Sequence, residues 1–265
     1  MINRVQNALN SILGALPLLN NATGAGRLFE LYVMTGVALE LQNRGFEVWL
    51  QRSDGTRILP TDTDRTFIQR SGAPTSVPPA WEGPGNASVI GLKKPNGDGW
   101  ELWNGIQFLG RSGAYHEIDI ALVPAAVGDT LRMLGGAPLG RPRVAIECKD
   151  VGLAGSVDEM RTFVARLYDL TLLSGHQRYF PYSPKAMAIY PGTPTSNNFY
   201  HARVTYWEEN RHSFNAVARR TGFTKGAMAM TAYYGIEGHS TITVGSAEFG
   251  VLIQAVCQWI EAECP

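Results

Sequence analysis

Cysteine is scarce in this sequence. Cys148, Cys257 and Cys264 are odd in number and show no C-x-x-C spacing, which excludes a disulfide framework and the usual structural zinc pattern. A reducing cytoplasm is the expected compartment. Long apolar runs are missing too, since none reaches the roughly 18 residues of a transmembrane helix. At the start of the chain, Ile2, Val5, Leu9, Ile12, Leu13 and Leu16 fall at helical spacing among polar residues and end at Pro17. This predicts an amphipathic helix in a soluble protein with no membrane partner, not a signal peptide.

Net charge is absent as well: 23 Lys and Arg balance 23 Asp and Glu, which argues against indiscriminate attraction to phosphate backbones. The distribution is uneven. Residues 141–225 hold 12 basic and 7 acidic side chains, whereas 226–265 hold Glu237, Glu248, Glu261 and Glu263 with no Lys or Arg. A local basic face is one reading, and ordinary solvated surface charge is the plainer one. Internal repeats and low-complexity tracts are lacking. The glycine stretches Gly83-Pro84-Gly85 and Gly135-Gly136 match neither a phosphate loop nor a dinucleotide fingerprint.

What remains is an ordinary folded composition, 45% hydrophobic and 17% charged, sufficient for one substantial core. After a loop at Asn20–Gly24, a long helix is expected from Gly26 to about Arg44, stopped by Gly45 and followed by a strand at Phe46–Leu50. Residues 53–115, rich in Pro and Gly with short strand-like pieces such as Trp100–Trp103 between turns, read as an insertion or an elaborated edge. Strands are then expected at Glu117–Val123 and Val144–Lys149, separated by a Gly/Pro loop at 134–142. A helix follows at about 157–174, and a strand at Ala186–Tyr190. Helices near 197–219 and 224–233, a strand at Thr241–Val244, and a final helix from Ser246 to about Glu261 complete the chain. The order implies an α/β sandwich around a mixed sheet, in a single domain spanning 1–265.

In a strand, residues two apart share a face, so Glu147 and Lys149 project together while Ile146 and Cys148 point the other way. Asp119 lies on a second short apolar strand whose Ile118, Ile120 and Leu122 are expected to share the opposite face. If the strands are neighbours, two carboxylates and an ammonium converge, as phosphodiester hydrolysis requires. Hard oxygen ligands suit Mg²⁺, which needs only one or two protein carboxylates and lowers the pKa of a bound water. Asp119 and Glu147 would be the metal ligands, and Lys149 would position the nucleophile. Glu30 falls on the helical stripe of Met34, Val37 and Leu41, where a carboxylate requires a cation or a metal; taken alone, a pair with Arg27 is the better reading.

Together these residues carry a resemblance. Gly26-Arg27-Leu28-Phe29-Glu30, then Val33, Leu41 and Gly45-Phe46-Glu47-Val48, resemble the opening of the Mrr-like restriction endonuclease catalytic domain. His116-Glu117-Ile118-Asp119 and Ala145-Ile146-Glu147-Cys148-Lys149 are similar to the second and third motifs of the wider PD-(D/E)XK nuclease superfamily, and Gly222 to the final helix resembles the Mrr-like tail. The likeness covers about 26–52 and 114–265. It implies a restriction-endonuclease-like mixed central sheet flanked by helices. Asp119 and Glu147 then correspond to metal ligands, Lys149 to the catalytic lysine, and Glu30 to the helix carboxylate completing the metal site.

The activity implied is hydrolysis of DNA phosphodiester bonds by an endonuclease dependent on Mg²⁺, with Mn²⁺ as a substitute, in prokaryotic restriction or anti-phage defence. A homodimer, or a complex with a target-recognition or activating protein, is expected for double-strand cleavage. The chain departs from the pattern in two respects: many Mrr-like members carry Gln at the position of Glu147, and the winged-helix DNA-reading domain they often have is not found here. The alternative is a nuclease-fold binding module or partner-activated effector without autonomous cleavage.

Other residues have blander readings. His116 is a secondary candidate for the metal shell or a phosphate. Arg161, Arg166 and Arg178 could reach DNA phosphates, but surface pairs with Asp158, Glu159 or Asp169 are favoured for the first two. Trp81, Trp100, Trp103 and Phe108, with Lys93, Lys94 and Arg111, could contact bases or a partner, and a small satellite core is at least as good an account.

Overall fold

The computed structural model describes residues 1–21, 25–69, 87–110, 112–134, 142–170, 172–173 and 213–264. The strand at 186–190, residues 135–141 of the loop at 134–142, residues 197–212, Trp81, Arg111 and Arg178 lie outside the described residues.

Helix α1 (Ile2–Leu13) buries Val5, Leu9, Ile12 and Leu13 and ends at Gly14, whose φ of 72° gives the left-handed C-cap that glycine adopts without penalty. Its apolar stripe packs on α2 (Ala25–Asn43), in which Phe29, Val33, Met34, Val37 and Leu41 are buried. Each such side chain contributes about 1.5–3 kcal/mol when fully removed from water. The stretch expected as a loop begins instead in strand β1 (Leu18–Asn21), which pairs in parallel with β3 (Thr66–Gln69).

Among the described residues the main sheet has seven strands. They are β2 (Glu47–Gln51), β4 (Val89–Lys93), β5 (Gly99–Leu109), β6 (Tyr115–Pro124), β7 (Val144–Lys149), β8 (Phe214–Arg219) and β9 (Glu237–His239), adjacent in that order. The first five pair antiparallel, and β7, β8 and β9 run parallel. The architecture is therefore mixed α/β, a mostly antiparallel central sheet flanked by helices. Two strands within 53–115 are interior: β5 sits between β4 and β6, so this stretch supplies part of the sheet's middle, not its edge. Trp100, Trp103 and Phe108 are buried in the two main cores, not in a satellite one.

On one face, α1, α2 and α6 (Ala247–Glu263) bury the first core with Val144, Ile146 and Ala216. On the other, α4 (Val157–Asp169) and α5 (Lys225–Tyr233) cover the second, which holds Met160, Phe163, Leu167 and Ala227, while Val127 of α3 (Ala125–Leu134) packs against it. The final helix starts at its expected residue, with Ser246 accepting from Phe249 N–H, and Thr224 caps α5 in the same way by accepting from Ala227 N–H.

Two elements differ from expectation for identifiable reasons. Residues 214–219, placed in a helix by the sequence, form β8, a strand buried on both faces. With Asn215 and Arg219 buried beside Phe214, Ala216, Val217 and Ala218, the segment shows no two-residue alternation and cannot be told from a buried helix by periodicity. Thr241–Val244 looks like a strand by its β-branched residues, yet Thr241 adopts φ 57°, outside extended backbone, and the edge strand falls at Glu237–His239.

Candidate active site

The pairing of β5 with β6 is interrupted at one place. Asn104 pairs with Ile120 and Ile106 with Ile118, but Gly105 and Asp119 between them do not pair, and Gly105 takes φ 64°. Both strands exchange faces there. Ile120 and Leu122 belong to the first core and Ile118 to the second, so these three do not share a face as expected. Asp119 sits at the change, with its Oδ2 accepting from Cys148 N–H on β7 at 2.7 Å.

Around Asp119 the structure gathers all four site residues expected from the sequence. Glu147 and Lys149 share a face of β7, with Lys149 Nζ 2.5 Å from Glu147 Oε1 and 4.0 Å from Asp119 Oδ2. Glu30 reaches the group from α2. Its Oε2 accepts from Asn104 Nδ2 at 2.8 Å and lies 3.6 Å from Arg27 Nη1, so the pair with Arg27 and membership of the cluster both hold. The same Asn104 Nδ2 donates to the backbone carbonyl of Asp119 at 2.8 Å, and Gln69 Nε2 donates to Asn104 Oδ1 at 3.0 Å. Arg27 also lies 3.9 Å from Glu117.

Arg166 is the residue that sequence reasoning placed wrongly. Its Nη1 donates to Glu147 Oε1 and Oε2 at 3.1 and 3.0 Å, in place of a surface pair with Asp169. Arg161 does form the expected surface pair, with Asp158 at 2.7 Å. Helix α4 is fastened at both ends. Glu159 pairs with the fully buried Arg219 at the end of β8. Asp169 accepts from Ser112 N–H and Oγ at 2.8 and 2.6 Å and pairs with His116 Nε2 at 2.6 Å. His116 therefore serves the helix end, not the carboxylate group. Asn104, too, was missed; only its position as a polar residue in an apolar strand marks it in the sequence.

The electrostatics follow from burial. Desolvation, together with Glu147 and Glu30 nearby, pushes the Asp119 carboxyl up to about 8, against the opposing pull of Lys149 and the Cys148 N–H. Desolvation also raises Glu30, more than Asn104 and Arg27 lower it. Burial works against the Lys149 ammonium, yet Glu147 and Asp119 more than offset it and hold its pKa above the ordinary value. Two carboxyls are thus short of positive charge, and hard oxygen donors in that condition suit a divalent cation. Among the described residues, no three His, Cys, Asp or Glu side chains stand close enough to form a complete metal cage. An ion such as Mg²⁺, which takes one or two protein carboxylates and otherwise keeps its waters, does not require such a cage.

No protein-family model and no curated protein matches the chain. Among solved structures, the crystal structure of a protein of unknown function, AF1548, is similar at 13% identity with a TM-score of 0.31, over 62% of this chain and 57% of that one. Among the described residues, no helix is long and apolar enough to cross a membrane.

Proposed function

We propose that the protein is a metal-dependent endonuclease that hydrolyses DNA phosphodiester bonds, built on a PD-(D/E)XK, restriction-endonuclease-like core resembling Mrr-like catalytic domains. One observation carries the reading. Glu30, Asp119, Glu147 and Lys149, from a helix and two strands far apart in sequence, meet in one partly exposed group in which Asp119 and Glu30 hold raised pKa values. A purely structural ion-pair cluster has no need of under-compensated buried carboxyls, which cost stability.

Asp119 and Glu147 would hold Mg²⁺ or Mn²⁺, with Glu30 steadied behind them by Asn104. When bound, such an ion neutralises phosphate charge and acidifies a coordinated water. Lys149, kept cationic by Glu147 and Asp119, orients the attacking water and stabilises charge on the phosphoryl oxygens. The Cys148 N–H fixes the Asp119 carboxylate, and Asn104 ties the Asp119 backbone to Glu30. Restriction or anti-phage defence in a prokaryotic cytoplasm, and assembly as a homodimer or with a recognition protein, are the settings proposed for this chemistry.

A second reading has its own observation. Glu147 is held by two cations at once, so an effector that stays inactive until a partner rearranges the site agrees with the same geometry. Supercoiled plasmid with Mg²⁺ or Mn²⁺ separates the two. Nicking or linearisation by the parent, lost in Lys149→Ala and Asp119→Ala, is expected. An inactive parent favours the effector, and cleavage persisting in both variants overturns the nuclease site.

A further inference from the structure

Arg166 and Lys149 both press on one carboxylate. Glu147 is 3% exposed, whereas the Lys149 and Arg166 side chains are 28% and 29% exposed, so the two cations stand between that carboxylate and solvent. This is the side from which a polyanion would approach. Arg166 does not present its paired edge to Glu147: one nitrogen, Nη1, serves both oxygens. A fork-to-fork pair would use two parallel N–H donors, and a phosphate accepts that arrangement as readily as a carboxylate. Nearby arginines are otherwise engaged, Arg161 with Asp158, Arg219 with Glu159, and Arg220 with Asp150. Because α4 is fastened at both ends, the Arg166 side chain can swing while its backbone stays in place.

We propose that Arg166 is a phosphate-binding side chain parked on Glu147, which it yields to a divalent cation as its guanidinium passes to a phosphate oxygen of the bound DNA strand. The inference rests on the nuclease reading and adds to it the residue that couples metal loading to substrate capture. Arg166 and the cation compete for Glu147, while Arg166 and the DNA cooperate. Removing the arginine therefore moves the two affinities in opposite directions, which a structural role for Arg166 would not do.

The test compares the parent with Arg166→Met and Arg166→Lys. Mn²⁺ binding without DNA is followed by electron paramagnetic resonance, and binding of a labelled DNA duplex is followed in Ca²⁺, with thermal midpoints in EDTA recorded alongside. For Arg166→Met, Mn²⁺ is expected to bind roughly tenfold more tightly and the duplex roughly tenfold more weakly, the size of one charge-assisted contact. Arg166→Lys should recover part of the duplex affinity. Mn²⁺ and duplex affinities that fall together, or a duplex affinity that does not change, overturn the assignment while leaving a metal-binding, cleaving parent intact. A parent that neither binds Mn²⁺ nor cleaves plasmid overturns the nuclease reading itself, and this inference with it.

Discussion

Replacing Asp119 by Asn should stabilise the fold at neutral pH while abolishing the activity proposed for it. Burial and neighbouring carboxylates raise the Asp119 pKa from 3.8 to about 8. A carboxyl raised in the folded state binds its proton more tightly folded than unfolded, so its contribution is greatest below 3.8 and is lost as pH rises through about 8. Asparagine keeps the shape and an acceptor for the Cys148 N–H but has no proton to lose. At about 1.4 kcal/mol per pH unit, the advantage of Asn over Asp should grow by roughly 4 kcal/mol between about pH 5 and about pH 8. For a chain of this size that is roughly 8–16 °C in Tm. The assay is thermal unfolding of both proteins across that range in EDTA. Adding Mg²⁺ near pH 8 should raise the parent's Tm and leave the variant's unchanged, because an ion that binds only the folded carboxylate stabilises it by mass action. A Tm difference that stays constant with pH, or shrinks as pH rises, would refute the account of Asp119 as a carboxylate short of positive charge.

Other outcomes follow from the same geometry. Asn104→Ala removes the donor shared by Glu30 and the Asp119 carbonyl and should cost about 1–3 kcal/mol in chemical denaturation, with plasmid cleavage reduced. Glu101, buried on β5, accepts from Gln51 and Trp103 and pairs with Arg132; Glu101→Leu leaves the arginine without its buried partner and should cost about 3–5 kcal/mol by urea titration. Gly105→Ala places a side chain at φ 64° and should lower stability by about 1 kcal/mol or more. Its cleavage rate should fall further than that loss alone explains, because Asp119 lies opposite; an unchanged rate would separate the backbone turn from the site.

The parts of the site set by local period were legible in the sequence. Glu147 and Lys149 had to share a face of β7, and the stripe of Met34, Val37 and Leu41 had to bring Glu30 toward the core. What could not be read were the contacts made around that expected group. Arg166 has acidic residues close by in sequence that would satisfy it, and only the packing of α4 on the sheet sends it to Glu147. The exchange of faces at Gly105 and Asp119 breaks the alternation from which Ile118 was assigned to the same face as Ile120. Of β5 only the strand-like piece Trp100–Trp103 was legible; flanking Pro and Gly obscured its full length, β4, and their place in the middle of the sheet. In β8 every residue is buried, Asn215 and Arg219 included, so no polar–apolar alternation marked the strand.

β6 feeds Ile120 and Leu122 into one core and Ile118, Ala121 and Val123 into the other, and Asp119 stands where that alternation reverses. The acidic group thus occupies a seam between two independently packed bodies and behaves as a gauge of their alignment. A cavity cut into either one, at Ile146 below or Phe163 above, will be registered as an altered spacing between Asp119 and Glu147, although neither side chain belongs to the site.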